Sequence, residues 1–350
     1  MSKALRPFII PLFIPHMGCP HRCVFCNQTS ITGHEDQRLL PQQMGQTISE
    51  FLGFKGGHRG PVEVAFYGGN FLGLSETYRE SLLDEAQKFV EKGDVNGIRF
   101  STRPDTISRE SLTALGCHAV RVVEVGAQSM DDTVLSASRR GHTAQDTRKS
   151  IRLLKDHGLK TGLQIMPGLP GDTLESILET GHRVAELKPD FVRIYPTVVV
   201  KKTVLEKWYA LGRFKPLSLA DAVEFTKRLY LLFRARGICV IRMGLQATGS
   251  LLEPGAVVEG PFHPAFGHLV HSAIFFDLAA RELEAEKTLS KRIALKVHPR
   301  DLPKLRGLRN HNVRRLIQQF DLEELQVLPD RAVPENALTV VELKSARRTG

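Results

Sequence analysis

The chain has 350 residues, 42% of them hydrophobic and 25% charged, with a formal charge of +10. That length suits one large domain of about 250 residues plus an appendage, or two ordinary domains, and the apolar content excludes a disordered chain. No apolar run approaches the ~18 residues of a membrane span, and Phe8–Pro15 is too short, and too broken by Pro11 and Pro15, for a signal peptide. The expectation is a soluble, cytoplasmic protein with no membrane partner.

In chain order, apolar strand-like runs recur at Phe8–Ile14, Val62–Tyr67, Ile98–Ser101, Val120–Val125, Leu163–Met166 and Phe191–Tyr195. Helical periodicity falls between them, at Glu76–Val90, Thr143–His157 and Thr173–Leu187. Strands alternating with helices of this size predict βαβ units and a parallel sheet. Six such units fit an α/β fold, a partial (β/α)6 TIM-like barrel, better than a closed eight-unit barrel. In such barrels the chemistry sits on the loops after the strands' C-terminal ends.

The loop after the first strand carries three of the five cysteines, in Cys19-Pro-His-Arg-Cys23-Val-Phe-Cys26. Tight clustering and an odd total argue against a disulfide framework in the cytoplasm. A CxxxCxxC loop can bring three thiolates to one metal centre. His16 or His21 would complete a four-ligand zinc site. A [4Fe–4S] cluster held by three cysteines instead keeps one iron open to a ligand. Cys117 and Cys239 lie in apolar surroundings and are expected to be buried filler.

The other strand ends are polar. They read Tyr67-Gly68-Gly69-Asn70-Phe71, Ser101-Thr102-Arg103-Pro104-Asp105, Gly126-Ala127-Gln128-Ser129, Gln164 to Gly171, and Tyr195-Pro196-Thr197. One such end is ordinary turn chemistry; five around one rim, facing a cysteine triad, are hard to explain as packing.

These residues resemble the radical S-adenosylmethionine (SAM) superfamily. From about Pro11 to Leu245 they are similar to the radical SAM domain of the catalytic subunit of Elongator, a tRNA wobble-uridine modifying enzyme. The similarity runs through Gly68-Gly69-Asn70-Phe71, Thr102-Arg103-Pro104-Asp105, Gly126-Ala127-Gln128-Ser129, Arg140-Gly141-His142-Thr143, Tyr195-Pro196-Thr197 and Lys207-Trp208-Tyr209. Oxygen-independent coproporphyrinogen dehydrogenases share the cysteine triad and Gly168-Leu169-Pro170.

The resemblance implies a [4Fe–4S] cluster on Cys19, Cys23 and Cys26, and SAM as the substrate of reductive cleavage to a 5′-deoxyadenosyl radical. It places Phe25 and Tyr195 beside the adenine, Phe13 near SAM, and Gly68, Gly69 and Asn70 by the methionine amino group. Gln128 and Gln164 become nucleoside contacts and Arg140 the partner of the methionyl carboxylate. Ser101 stands where relatives place an acidic residue. A flavodoxin- or ferredoxin-type protein is the expected electron donor. After about Glu286 some 64 residues remain, fewer than an acetyltransferase domain needs, so a separate acyltransferase is the partner implied for acyl transfer. No general acid–base pair or nucleophile triad stands out.

From Lys287 onward basic residues are roughly twice as common as acidic ones, which favours a polyanionic partner. Ile293–Val297 predicts a strand and Asp301–Arg306 a short helix. A turn at Gly307–Asn310, a helix at Asn312–Phe320 and a strand at Leu325–Leu328 follow. That order is similar to a KH module, an α+β unit whose GxxG turn clamps single-stranded nucleic acid; here Asn310 replaces the second glycine. Arg306, Gly307, Arg309, Arg314 and Arg315 are the candidate RNA contacts.

The expected organisation is a barrel at 1–245, a closing helical extension at 246–290 and a basic domain at 291–350. RNA, a tRNA uridine above all, is the expected substrate. The alternatives are a small molecule such as a tetrapyrrole, or a non-catalytic Fe–S or haem-handling protein.

Overall fold

A computed structural model describes residues 6–14, 16–28, 38–57, 60–116, 118–286 and 290–343; Cys117 lies outside them. The chain divides into two compact units, one of residues 1–225 and 229–262, the other of 226–228 and 263–350. The segment 246–290 is thereby divided between the two.

The first unit opens with β1 (Phe8–Phe13), α1 (Pro41–Phe54), β2 (Val62–Tyr67), α2 (Glu76–Glu91) and β3 (Gly97–Thr102). It continues through α3 (Arg109–Thr113), β4 (Val120–Gln128), α4 (Asp132–Ala137), α5 (Ala144–Asp156), β5 (Lys160–Ile165), α6 (Leu174–Glu186) and β6 (Phe191–Ile194). Then come β7 (Val199–Val200), α7 (Val204–Ala210), α8 (Leu219–Ala235), β8 (Cys239–Met243), α9 (Gly249–Leu252) and β9 (Val257–Glu259). The six expected strands all form. β8 adds a seventh, giving one parallel sheet in the order β1-β2-β3-β4-β5-β6-β8.

Alternation along the strands decides which face meets the helices. Ile10 and Leu12, Val62, Val64 and Phe66, Ile98 and Phe100, Leu163 and Ile165, Val192 and Ile194 join one buried core. Met44, Ile48, Leu82, Leu83, Ile151, Leu154 and Ile177 enter it from the helices. Helices α5 and α6 each start at a threonine whose hydroxyl accepts from the backbone N–H three residues on, Asp146 and Ser176 respectively.

The opposite face is concave. β2 and β6 are separated by three strands, so a flat sheet would hold them about 19 Å apart. Yet the Arg193 guanidinium donates to the Tyr67 hydroxyl at 3.3 Å. The sheet is a curled half-barrel, and what lies on its inner face is collected in one lumen.

Cys239 corrects its expected burial: it is exposed. Apolar neighbours suggested a buried position, but β8 is an edge strand with no residue fully buried.

In the second unit, α10 (Phe266–Ala285) precedes β10 (Arg292–Val297), α11 (Leu302–Arg306), α12 (His311–Gln319), β11 (Glu324–Pro329) and β12 (Leu338–Glu342). The strand–helix–turn–helix–strand order expected from the sequence is present. β10 is central, parallel to β11 and antiparallel to β12. Phe275, Phe276 and Leu283 of α10 pack with Ile293, Leu295, Leu305, Leu316 and Val327. Among the described residues no helix is long and apolar enough to cross a membrane.

Candidate active site

The cysteine loop leaves β1 and is fastened on both sides. Asn70, fully buried after β2, is the first fastener: its amide Nδ2 donates to the Gly18 carbonyl at 2.7 Å. Its Oδ1 accepts from Thr102 Oγ1 (2.6 Å), Arg103 N (3.0 Å) and Thr106 Oγ1 (2.9 Å). The Asn70 side chain is thus spent on tying the loop to the end of β3, and the glycine pair before it provides the close approach. A Cβ on Gly69 would lie 2.4 Å from the Ile14 carbonyl oxygen.

On the other side, Val24 N donates to Ser138 O (3.2 Å) and Leu205 N to Val24 O (2.8 Å). Asn27 Nδ2 donates to Lys201 O (2.7 Å). Val24 and Phe25 pack with Val134, Leu169, Val199 and Leu205. The loop is therefore tied on both sides by the chain's own hydrogen bonds.

Gly18 is the tightest point, with φ +72° and a virtual Cβ 2.2 Å from the Asn70 carbonyl oxygen. Gly18→Ala is expected to destabilise the fold by about 2–3 kcal/mol, from a left-handed alanine and a backbone clash together. A lowered urea midpoint and reduced iron uptake on reconstitution check it.

Cys23 is buried, and Cys19 and Cys26 are half-buried. Burial, then the neighbouring Cys23 and Cys19 thiols, push the Cys26 thiol up to about 12. Burial and Cys23 likewise raise Cys19, against the pull of Arg103 and Arg140. Thiols this reluctant to ionise side by side need a cationic centre to become thiolates together. Among the described residues no three Cys, His, Asp or Glu side chains close around a single ion; a cubane needs no such point, because each thiolate takes a different iron.

Two buried guanidiniums face these thiols. Arg140 donates from Nη1 to Cys23 Sγ (3.1 Å) and from Nη2 to Gly126 O (2.7 Å). Arg103 is gripped by Asp105 through two bonds of 3.0 and 2.9 Å and donates to the Arg140 carbonyl. Arg103 Nη1 and Arg140 Nε are buried with no hydrogen-bond partner among the described residues. Unpaired buried donors are costly. Two of them beside three thiols fit an anionic occupant, thiolate sulfur together with a carboxylate, as a cluster and SAM would supply.

His142 sits against the same pair. Burial first, then Arg140 and Arg103, lower its imidazole to about 3, so it is neutral at physiological pH and its Nε2 meets Ala127 O at 3.2 Å. Between pH 6.5 and about 3 the unfolded chain binds a proton that the folded chain refuses. Stability should fall as pH drops through that window. Urea midpoints across pH 5 to 7.5 check this, with His142→Gln expected to flatten the profile.

The lumen below holds a charge network. Glu124 of β4, 5% exposed, accepts from Arg99 Nη2 (2.7 Å), Tyr67 Oη (2.8 Å) and Arg193 Nε. Arg99 also reaches Glu63 Oε2 at 2.8 Å, and Arg193 Nη1 donates to Tyr195 Oη at 3.1 Å. Burial opposes the Glu124 carboxylate, but Arg193 and Arg99 outweigh it and hold its pKa below the usual range. Burial and Glu124 keep the Tyr67 hydroxyl protonated far above its ordinary range.

The structure thus gathers most of the candidate residues on one rim. Gln128, at φ +68° on a β-bulge, accepts from Gln164 Nε2 at 3.2 Å. Phe13 is in register with Tyr67, and Ser101 with Glu124. Arg140 touches a cysteine sulfur, which the sequence reading did not foresee. That reading also missed Arg99, Arg103, Glu124 and Arg193 as members of the site. Their signal was a lone charge inside an apolar strand, or a motif arginine given no partner.

Arg306, Arg309, Arg314 and Arg315 belong to the second unit and are all exposed. Gly307, Arg309 and Asn310 have φ of +69°, +51° and +60°. Arg314 Nη1 donates to Arg309 O (2.7 Å), and Arg315 lies 3.8 Å over the Phe276 ring.

Comparison with known proteins agrees with this geometry. The Radical SAM superfamily pattern matches residues 13–184, and the Radical_SAM C-terminal domain pattern matches 189–275. The tRNA uridine(34) acetyltransferase of Methanocaldococcus jannaschii is 29% identical over 244 residues, 59% of this chain and 45% of its own length. The Elongator complex protein 3 of Homo sapiens is 30% identical over 218 residues, 57% of this chain and 38% of its own. The chain spans about half the length of the curated relatives it matches, or less. In fold it is similar to an archaeal Elongator-type protein of Methanocaldococcus infernus carrying an N-terminal deletion. That match has a TM-score of 0.62 and 24% identity, and covers 78% of this chain and 63% of the other.

Proposed function

This chain belongs to the radical SAM superfamily, and we propose that it modifies RNA, specifically a tRNA uridine, in the cytoplasm. Cys19, Cys23 and Cys26 would hold a [4Fe–4S] cluster, and Gly68, Gly69, Gln128, Gln164 and Tyr195 would meet SAM. When bound, the two supply a 5′-deoxyadenosyl radical by one-electron reductive cleavage, a hydrogen-abstracting species no side chain can generate.

The protein's own residues position and exclude. Asn70 fixes the loop; Arg103 and Arg140 place two positive charges where thiolates and a carboxylate would gather. Glu124, Arg99, Arg193 and Tyr67 form a mutually paired network on the floor of the lumen, which makes that floor rigid.

The observation that carries the RNA reading is the likeness to tRNA uridine(34) acetyltransferases over 59% of the chain. The exposed arginines around Gly307 support it, since a cationic turn with left-handed backbone suits phosphate contacts. Because those relatives are named as acetyltransferases, an acyltransferase is the proposed partner for group transfer. A flavodoxin- or ferredoxin-type protein is the proposed electron donor.

The test is nucleoside mass spectrometry of bulk tRNA incubated anaerobically with the reconstituted protein, SAM and reductant. A uridine altered only when SAM and all three cysteines are present supports the reading. Unaltered tRNA alongside turnover of a tetrapyrrole would sink it.

A further inference from the structure

The mouth of the cysteine loop carries a concentration of positive charge that the site chemistry does not use. Arg22 lies inside the loop, between Cys19 and Cys23. Arg139 follows Ser138, whose carbonyl accepts from Val24 N. Lys201 is held by its carbonyl to Asn27, and Leu205, four residues on, is bonded to Val24. Lys202 precedes α7, Lys207 lies on it, and Arg213 closes onto it through a 2.8 Å bond from its N–H to Trp208 O. The Arg139 guanidinium stands 5.7 Å from the Trp208 ring centroid. These contacts gather Arg22, Arg139, Lys201, Lys202, Lys207 and Arg213 onto one patch of the first unit.

All six are exposed. None forms an ion pair with a described residue. The carboxylate nearest in sequence, Glu206, accepts from the Lys202 backbone N–H instead. Several other arginines are matched: Arg99 with Glu63 and Glu124, Arg103 with Asp105, Arg183 with Glu179, Arg292 with Glu324. Unmatched like charges repel one another, and their natural complement is an anionic surface.

The location selects the kind of anion. The patch is built on the segment that carries the three thiols, through backbone hydrogen bonds to Val24 and its neighbours. A substrate whose hydrogen is abstracted must enter the lumen, where Tyr67, Gln164 and Tyr195 lie. An electron has only to reach the sulfurs from outside, and the patch is bonded to the very segment that carries them.

The geometry points to this patch as the docking surface for an acidic one-electron carrier protein, with Lys201, Lys202 and Lys207 as its electrostatic anchors. The inference rests on the radical SAM reading above and is independent of the RNA substrate. In the step it serves, the carrier is oxidised by one electron and the cluster reduced by one; no bond forms or breaks and no proton moves.

The test uses the full-length, cluster-loaded chain and its charge-reversed variant Lys201→Glu/Lys202→Glu/Lys207→Glu. The probe carrier is a bacterial flavodoxin hydroquinone, with dithionite as a small reductant that needs no docking. Cluster bleaching is followed by stopped flow at low and high salt, and flavodoxin affinity by anisotropy. Expected are a loss of about tenfold or more in flavodoxin affinity and reduction rate at low salt, a smaller difference at high salt, and a dithionite rate changed far less at low salt and unchanged at high salt. An unchanged flavodoxin rate in the variant, or a wild-type rate indifferent to salt, would overturn the proposal. So would equal losses with both reductants, which would mean a damaged site, or a variant that loses tRNA binding while flavodoxin still reduces it. A wild-type chain whose cluster accepts electrons from neither reductant removes the radical SAM reading as well. Failure to alter tRNA leaves this inference standing.

Discussion

Replacing any one of Cys19, Cys23 and Cys26 by alanine should lower iron content and the cluster's visible absorbance to background. Release of 5′-deoxyadenosine from SAM should fall with them, by at least about 10³-fold. The expectation is this severe because each thiol has a separate task on a loop tied on both sides. Asn70 and Thr102 hold one side of that loop, Val24 and Leu205 the other. Among the described residues the one remaining thiol, Cys239, is exposed on an edge strand. Circular dichroism should stay unchanged, since Cys19 and Cys26 are half-buried and alanine at the buried Cys23 removes only its sulfur. Reconstituted iron per chain and quantified 5′-deoxyadenosine measure the loss.

Glu124→Ala is the largest expected effect away from the thiols. It leaves Arg99, which is buried, with Glu63 alone and deprives the half-buried Arg193 of its carboxylate. Removing one partner of a buried charged cluster costs about 3–5 kcal/mol, most of it the penalty of the charge left behind. For a unit of this size that is a fall in Tm on the order of 10 °C. Glu124→Gln, which keeps the acceptor oxygen, should cost less. The contribution has a pH signature. The folded carboxyl has a lowered pKa, so its stabilisation is present at neutral pH and lost as acid protonates it. Scanning calorimetry of the three proteins at pH 7.5 measures the difference.

How much of this could be read from the chain divides along physical lines. The thiol triad was legible because its geometry is local: three cysteines within eight residues must share a loop. The parallel sheet was legible because Val62–Tyr67 and its like are apolar runs of strand length spaced by helices. Strand β8 was harder, since an edge strand with both faces half-exposed carries no clean alternation. The same ambiguity misplaced Cys239.

The charge network was present as single letters, Arg99 between Ile98 and Phe100, Glu124 between Val123 and Val125, Arg193 between Val192 and Ile194. Each occupies the inward position of its strand. Which of them meet depends on how far the sheet curls, a property of the assembled sheet and not of any one strand. Asn70 is the converse case: its position at the rim was legible. Its use, tying Gly18 to Thr102 and Arg103, needed the two loops to be seen side by side.

The most direct test of the account is the release of 5′-deoxyadenosine from SAM by anaerobically reconstituted protein and dithionite, with and without bulk tRNA, and Cys23→Ala as the blank. The account predicts SAM cleavage above the blank that rises when tRNA is added. A full cluster that leaves SAM intact under both conditions would contradict it.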